Sequence, residues 1–236
     1  MTEIADNLVR IHGQIQTTAA ASGRTAADIT LVAVTKTQPL SAIRAAVKAG
    51  ITICGENRVQ ELTEKHAANA FTGAQVHLIG HLQKNKVKKI AGTAALIHSV
   101  DSLALLSAIH NAAEGINCIQ DVLIQVNIGK DPGKFGIEVE ELDEMLIQAG
   151  NLAHVKVRGL MTILPFSLPA TKNRQLFSQM YQLFVDIRVK TYHNIAMDFL
   201  SMGMSADFED AILEGANMVR IGSALFEGQS LSAKNI

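Results

Sequence analysis

A lysine that closes a short apolar run is the first residue of this sequence equipped for covalent chemistry. Lys36 ends Thr30-Leu31-Val32-Ala33-Val34-Thr35-Lys36, a β-branched run that reads as a parallel strand buried on both faces. Val32 and Val34 share its side of the strand, and Leu31, Ala33 and Thr35 take the other. A partly desolvated ammonium there has a lowered pKa and yields a neutral amine able to attack an aldehyde. The bland alternative is a strand-end lysine that snorkels to water. Far along the chain lie two segments suited to a phosphate, Ser201-Met202-Gly203-Met204-Ser205 and Arg220-Ile221-Gly222-Ser223-Ala224. Their small residues let an anion approach backbone N–H groups and hydroxyls, and a helix begins near Ala206-Asp207. Either loop alone reads as a tight turn; the two together favour a phosphate.

The elements that must position these residues alternate along the whole chain. Strands are expected at 30–36, 51–54, 76–80, 95–100, 121–128, 155–161, 196–202 and 217–221. Helices are expected at 39–49, 58–65, 84–91, 103–113, 138–149, 173–190 and 208–214. An extra N-terminal helix spans 2–21, where Ile4, Leu8, Ile11 and Ile15 recur at helical spacing and Thr2 is placed to cap. About eight strands, each with a helix, close a parallel barrel. An open doubly wound sheet uses the same elements, but no glycine-rich fingerprint follows the first strand. No linker divides the chain, so residues 1–236 are expected to form a single (β/α)8 barrel domain of the α/β class.

Barrel closure sets the eighth strand beside the first, and barrel chemistry gathers at the C-terminal ends of the strands. An aldehyde on Lys36 and a phosphate at Gly222 and Ser223 would then belong to one molecule, and pyridoxal 5'-phosphate has both groups. Arg220 lies on the same strand end and can face the pyridine nitrogen. A permanent cation there disfavours protonation of that nitrogen, which weakens the electron sink. Racemisation and simple carriage both remain compatible with that.

Other patterns dissolve on inspection. Gly80-His81-Leu82-Gln83-Lys84-Asn85-Lys86 lacks the second glycine of a phosphate loop. His98 points opposite to Ser99 and Asp101 on a strand, which excludes a triad. His77 and His81 are not on a helix, and no metal site is expected. Lys84, Lys86, Lys88 and Lys89 read as a solvated helix face.

Composition narrows the class. The 236 residues are 48% hydrophobic and carry no apolar run long enough to span a membrane. Twenty-one basic against 22 acidic side chains create no field for nucleic acid or an anionic membrane. An acidic N-terminus and two cysteines, Cys54 and Cys118, point to a reducing cytoplasm. No surface pattern announces an interface, so a monomer is expected.

The sequence resembles the pyridoxal phosphate homeostasis protein family, whose fold is like the alanine racemase barrel domain. The matching segments are residues 31–37, Gly55-Glu56-Asn57 with residues 58–61, 77–86 and 98–102. Further matches are Val126-Asn127, Lys134-Phe135-Gly136, residues 158–161, 201–205 with Asp210, and 219–226. The resemblance implies that Lys36 carries the cofactor as an internal aldimine and that Asn57 lies beside the ring. It also implies that Ser201, Ser205, Gly222 and Ser223 hold the phosphate and that Arg220 meets the ring nitrogen. Arg58, Val76 and Glu227 depart from the family's commoner residues, at positions expected to bear on ring-side packing and the final turn.

The leading function is a non-catalytic carrier that maintains intracellular pyridoxal phosphate and hands it to apoenzymes. An amino-acid racemase is the alternative, but two-base racemisation needs a group on each face of the ring. In alanine racemase the second base is a tyrosine from an additional C-terminal domain, for which the short stretch after Arg220 leaves no room. Tyr181 and Tyr192 are expected away from the barrel mouth. A cofactor-free aldolase using Lys36 on a sugar phosphate is a third alternative.

Overall fold

A computed structural model describes residues 3–165, 168–190 and 192–228. Eight strands run parallel and close in sequence order: β1 (Thr30–Val34), β2 (Ile53–Glu56), β3 (Gln75–Leu78), β4 (Leu96–Val100), β5 (Gln120–Gln125), β6 (Val155–Met161), β7 (Ile195–Met204) and β8 (Met218–Ile221). Helices α2 (Leu40–Lys48), α3 (Val59–Ala67), α4 (Leu103–Glu114), α5 (Leu142–Gly150), α6 (Ala170–Arg188), α7 (Phe208–Leu213) and α8 (Ser223–Phe226) connect or follow them, and α1 (Glu3–Ala21) precedes the barrel. The expected closed (β/α)8 barrel is what forms. Its seam is β8 on β1, in a register that runs from Thr30 opposite Met218 to Ala33 opposite Ile221.

Burial separates two apolar layers. Val32, Val34, Ile79, Leu96, Leu123, Met161 and Met218 make a cluster inside the barrel. Ala33, Cys54, Val76, Leu78, Ile97 and Ile124 belong to the larger layer between strands and helices. The Val32 and Val34 side of β1 is therefore the interior side, and Lys36 follows in the turn just past the strand.

The first helix starts at Glu3, and Thr2, expected as its cap, lies outside the described residues. Its apolar stripe, Ile4, Leu8, Ile11 and Ile15, is buried. Asn7 Nδ2 donates to the carbonyls of Leu225 and Glu227, each at 3.2 Å, and Arg10 Nη2 to that of Ala224 at 3.1 Å. The N-terminal helix thus fastens the segment that follows the eighth strand.

Many element ends shift by a few residues from expectation, and three differences bear on the strand ends and their connections. β1 stops at Val34 because its ladder with β2 ends at Val34 opposite Gly55 and β8 turns into α8. The stretch expected as a helix at 84–91 is a 3-10 helix, Lys84–Lys89. There Val87 and Ile90, three apart, face inward together, while the four lysines stay exposed. α8, absent from the sequence expectation, begins at Ser223. No helix among the described residues is long and apolar enough to cross a membrane.

Candidate functional site at the barrel mouth

The seam brings the two halves of the expected site together. Gly222 lies against Val34, two residues before Lys36: a Cβ on Gly222 would stand 3.1 Å from Val34 Cβ. Glycine is what permits that approach. Ser205, just past β7, reaches the same place, and its Oγ accepts hydrogen bonds from the backbone N–H of Gly222 at 3.1 Å and of Ala224 at 3.4 Å. Two amides converging on one small hydroxyl form a cup suited to an anion. Ser205 and Ser223 also line an open cleft of about 520 Å³ with Gln38, Phe226 and Glu227.

Lys36 stands at the mouth and is exposed. This corrects the expectation of a partly desolvated ammonium: the residue lies beyond the last ladder pair of β1, outside the packed layers. Among the described residues its ammonium makes no hydrogen bond or ion pair that would hold it away from a ligand. On the neighbouring strand end sits Asn57, half-buried, on the interior side of β2 by alternation. Its Oδ1 is shielded from water and has no hydrogen-bond partner. Gly80 closes over it, since a Cβ there would fall 2.2 Å from the Asn57 carbonyl oxygen.

Arg220 is buried inside the barrel, where Nη1 donates to Ser201 Oγ at 2.6 Å and Nη2 to the Thr162 carbonyl at 2.8 Å. Burial pulls its pKa down to about 10, which leaves it a cation at neutral pH. Ser201 therefore does not join Ser205 at the cup. It lies deeper on β7, opposite Met218, with its hydroxyl engaged beneath Arg220.

That hydroxyl continues a chain that the sequence reading missed. Ser201 Oγ is 3.1 Å from His98 Nδ1, and His98 Nε2 is 3.0 Å from His77 Nδ1. Arg220 can only donate, and the buried Ser201 proton has no other acceptor among the described residues, so it goes to His98. His98 then carries its proton on Nε2 and donates to His77. Burial holds the His77 pKa down to about 4. Burial, His77 and Arg220 together hold that of His98 far below the usual range. Both rings are neutral links in a chain polarised by one cation. The signal was available: alternation along β3 and β4 turns His77 and His98 inward with Ile79 and Leu96.

Ser99, by contrast, points outward and donates to the Gly80 carbonyl at 2.7 Å, opposite to His98 as expected. His81 and Asp101 meet instead at the mouth, Nδ1 to Oδ2 at 3.3 Å, with Phe135 stacked on the imidazole at 3.8 Å between ring centroids. Val76 is buried in the layer between strands and helices, so its departure from the family residue does not bear on ring-side packing. Arg58 is exposed and reaches toward Glu61. The Glu227 carbonyl is held by Asn7.

Residues 10–230 match the family model described as alanine racemase, N-terminal domain. The pyridoxal phosphate homeostasis protein of Aquifex aeolicus is 41% identical over 221 residues, 94% of this chain and 96% of the relative. The protein of that name from Escherichia coli K12 is 37% identical over 237 residues, 99% of this chain and 100% of its own. PipY of Synechococcus elongatus, solved with PLP bound, superposes with a TM-score of 0.81 at 33% identity, covering 95% of this chain and 100% of that one. The chain belongs to the alanine racemase N-terminal domain family, among the relatives named pyridoxal phosphate homeostasis proteins.

Proposed function

We propose that this protein binds pyridoxal 5'-phosphate at the seam between β1 and β8 and serves as a non-catalytic carrier in vitamin B6 homeostasis. The observation that supports this is the closure that sets Gly222 beside Val34, two residues before Lys36, an arrangement that suits one small molecule with an aldehyde and an anionic group. When bound, the cofactor supplies an aldehyde, an anion and an aromatic ring. Lys36 would supply the amine that holds the aldehyde group. The Ser205 hydroxyl and the Gly222 and Ala224 amides hold the phosphate, with Ser223 at its edge. Asn57, whose Oδ1 lacks a partner inside the protein, takes the ring side. Arg220, held by Ser201, would meet the ring nitrogen.

The exposed position of Lys36 at the mouth suits a cofactor that is taken up from and returned to solvent. The two tyrosines support the same reading. Tyr181 packs against Gly215, before β8, and Tyr192 donates to Asp143, before β7, both toward the opposite end of the barrel. On this reading the protein is a cytoplasmic monomer, and apo forms of pyridoxal phosphate enzymes receive its cargo.

Borohydride reduction of the loaded protein followed by peptide mapping tests the attachment. The expected label is on Lys36 alone; no label, or a label on another lysine, rejects the assignment. A panel of D- and L-amino acids tests the carrier role, which cofactor-dependent turnover at ordinary enzymatic rates would overturn.

A further inference from the structure

On the helix-facing side of β1 and β2 lies a group of buried charges that the site above leaves unused. Glu56, the last residue of β2, is fully buried, and its Oε1 accepts the Thr35 hydroxyl at 2.6 Å and Lys65 Nζ at 2.8 Å. Lys65, on α3, also donates to the Thr35 carbonyl at 2.9 Å and to Glu61 Oε2 at 3.0 Å. All three of its ammonium protons are thereby used. Glu61 Oε2 in turn accepts the Thr37 N–H at 2.9 Å. Both residues that flank Lys36 are therefore tied to one ammonium, Thr35 directly and Thr37 through Glu61.

Stability is a weak reason for such a cluster. Desolvating ions offsets most of their attraction, and apolar replacements of such groups are often as stable. Here Glu56 Oε2 is left buried without a partner. Thr37 adds a second cost, for it is held at φ 61°, a left-handed conformation that strains a β-branched residue. A tether is the better reason. Lys36 lies in the turn just past β1, so holding Thr35 against α3 and the Thr37 N–H against Glu61 fixes that turn on both sides of Lys36. Glu56 also precedes Asn57, which ties the second strand end to the same helix.

We propose that Lys65, set between Glu56 and Glu61, is a positioning residue that aims the Lys36 amine across the seam toward Gly222. The proposal rests on Lys36 being the attachment point. It adds no chemical step: the cluster exchanges no proton or electron with the ligand.

The test uses the full chain and two ligands that share a phosphate and a ring. Pyridoxine 5'-phosphate carries an alcohol in place of the aldehyde and cannot condense with an amine, so its affinity reads the cup alone. Pyridoxal 5'-phosphate, followed by visible absorbance and by borohydride trapping at Lys36, reads the amine as well. Lys65→Met and Glu61→Ala are expected to hold pyridoxine phosphate within about twofold of the parent while slowing covalent loading about tenfold or more. Lys65→Arg, which keeps the charge and several donors, is expected to restore part of the loss. Equal losses for both ligands, or no loss for either, overturn the positioning role. Should Lys65→Met fail to fold, the half-buried Glu61→Ala still decides, since it removes the Thr37 tether and spares Glu56. A parent protein that traps nothing at Lys36 rejects the attachment and the positioning role together. Normal trapping in parent and variants alike rejects the positioning role alone.

Discussion

Gly222 and Val34 face each other across the seam at which β8 closes on β1, with room between them for a hydrogen but not for a comfortable methyl group. Gly222→Ala pushes these strands apart at the level of the cup. It is expected to cost about 1–3 kcal/mol of stability and to weaken pyridoxal phosphate binding more than a core substitution of equal cost. Urea unfolding beside a ligand titration separates the two effects.

Ser205 gathers two backbone amides. Ser205→Ala leaves those of Gly222 and Ala224 without their shared acceptor and removes one hydroxyl from the anion. Affinity for pyridoxine phosphate is expected to fall about tenfold, the equivalent of about 1.4 kcal/mol, with covalent attachment at Lys36 retained at saturation. Calorimetric titration with that ligand, and trapping at high cofactor, supply the two readings.

Arg220 is buried with hydrogen bonds to Ser201 and Thr162. Arg220→Ala strands both acceptors and costs on the order of 3 kcal/mol. The ring nitrogen loses its cation, so the visible spectrum of the bound cofactor is expected to change more than its retention does. Absorbance spectra and equilibrium dialysis on one preparation make the comparison.

The two interior histidines predict an acid-side weakness. Burial holds His77 neutral in the fold down to about pH 4, whereas an unfolded histidine takes up its proton near pH 6.5. Between these values the unfolded chain binds more protons than the folded one, so stability rises with pH across that window. The contribution is full above about pH 6.5 and is lost as pH falls toward 4. For His77 alone the loss is on the order of 3 kcal/mol. Urea midpoints across this range are expected to fall steeply in the parent and less steeply in His77→Gln.

Much of this was legible along the chain. Apolar runs and helical spacing are local properties, and they announced eight strands, the helices between them and a lysine at the end of the first. Alternation on a strand is local too, which is why His98 could be set opposite Ser99 without coordinates. Ser205, Gly222 and Ser223 were readable as small residues after the last two strands.

What the chain could not declare is direction and depth. Val32 and Val34 form one side of β1, but a strand buried on both faces reads the same whichever side is the interior, and only closure against β8 decides it. Ser201 and Ser205 look like equal members of one motif, yet one is spent inside the barrel on Arg220 and the other opens at the mouth. The path from Arg220 through Ser201 and His98 to His77 joins four strands, and the tether from Lys65 to the neighbours of Lys36 joins a helix to two strand ends. Such bonds depend on which segments meet in space, and a periodicity read within one segment carries no term for its partner.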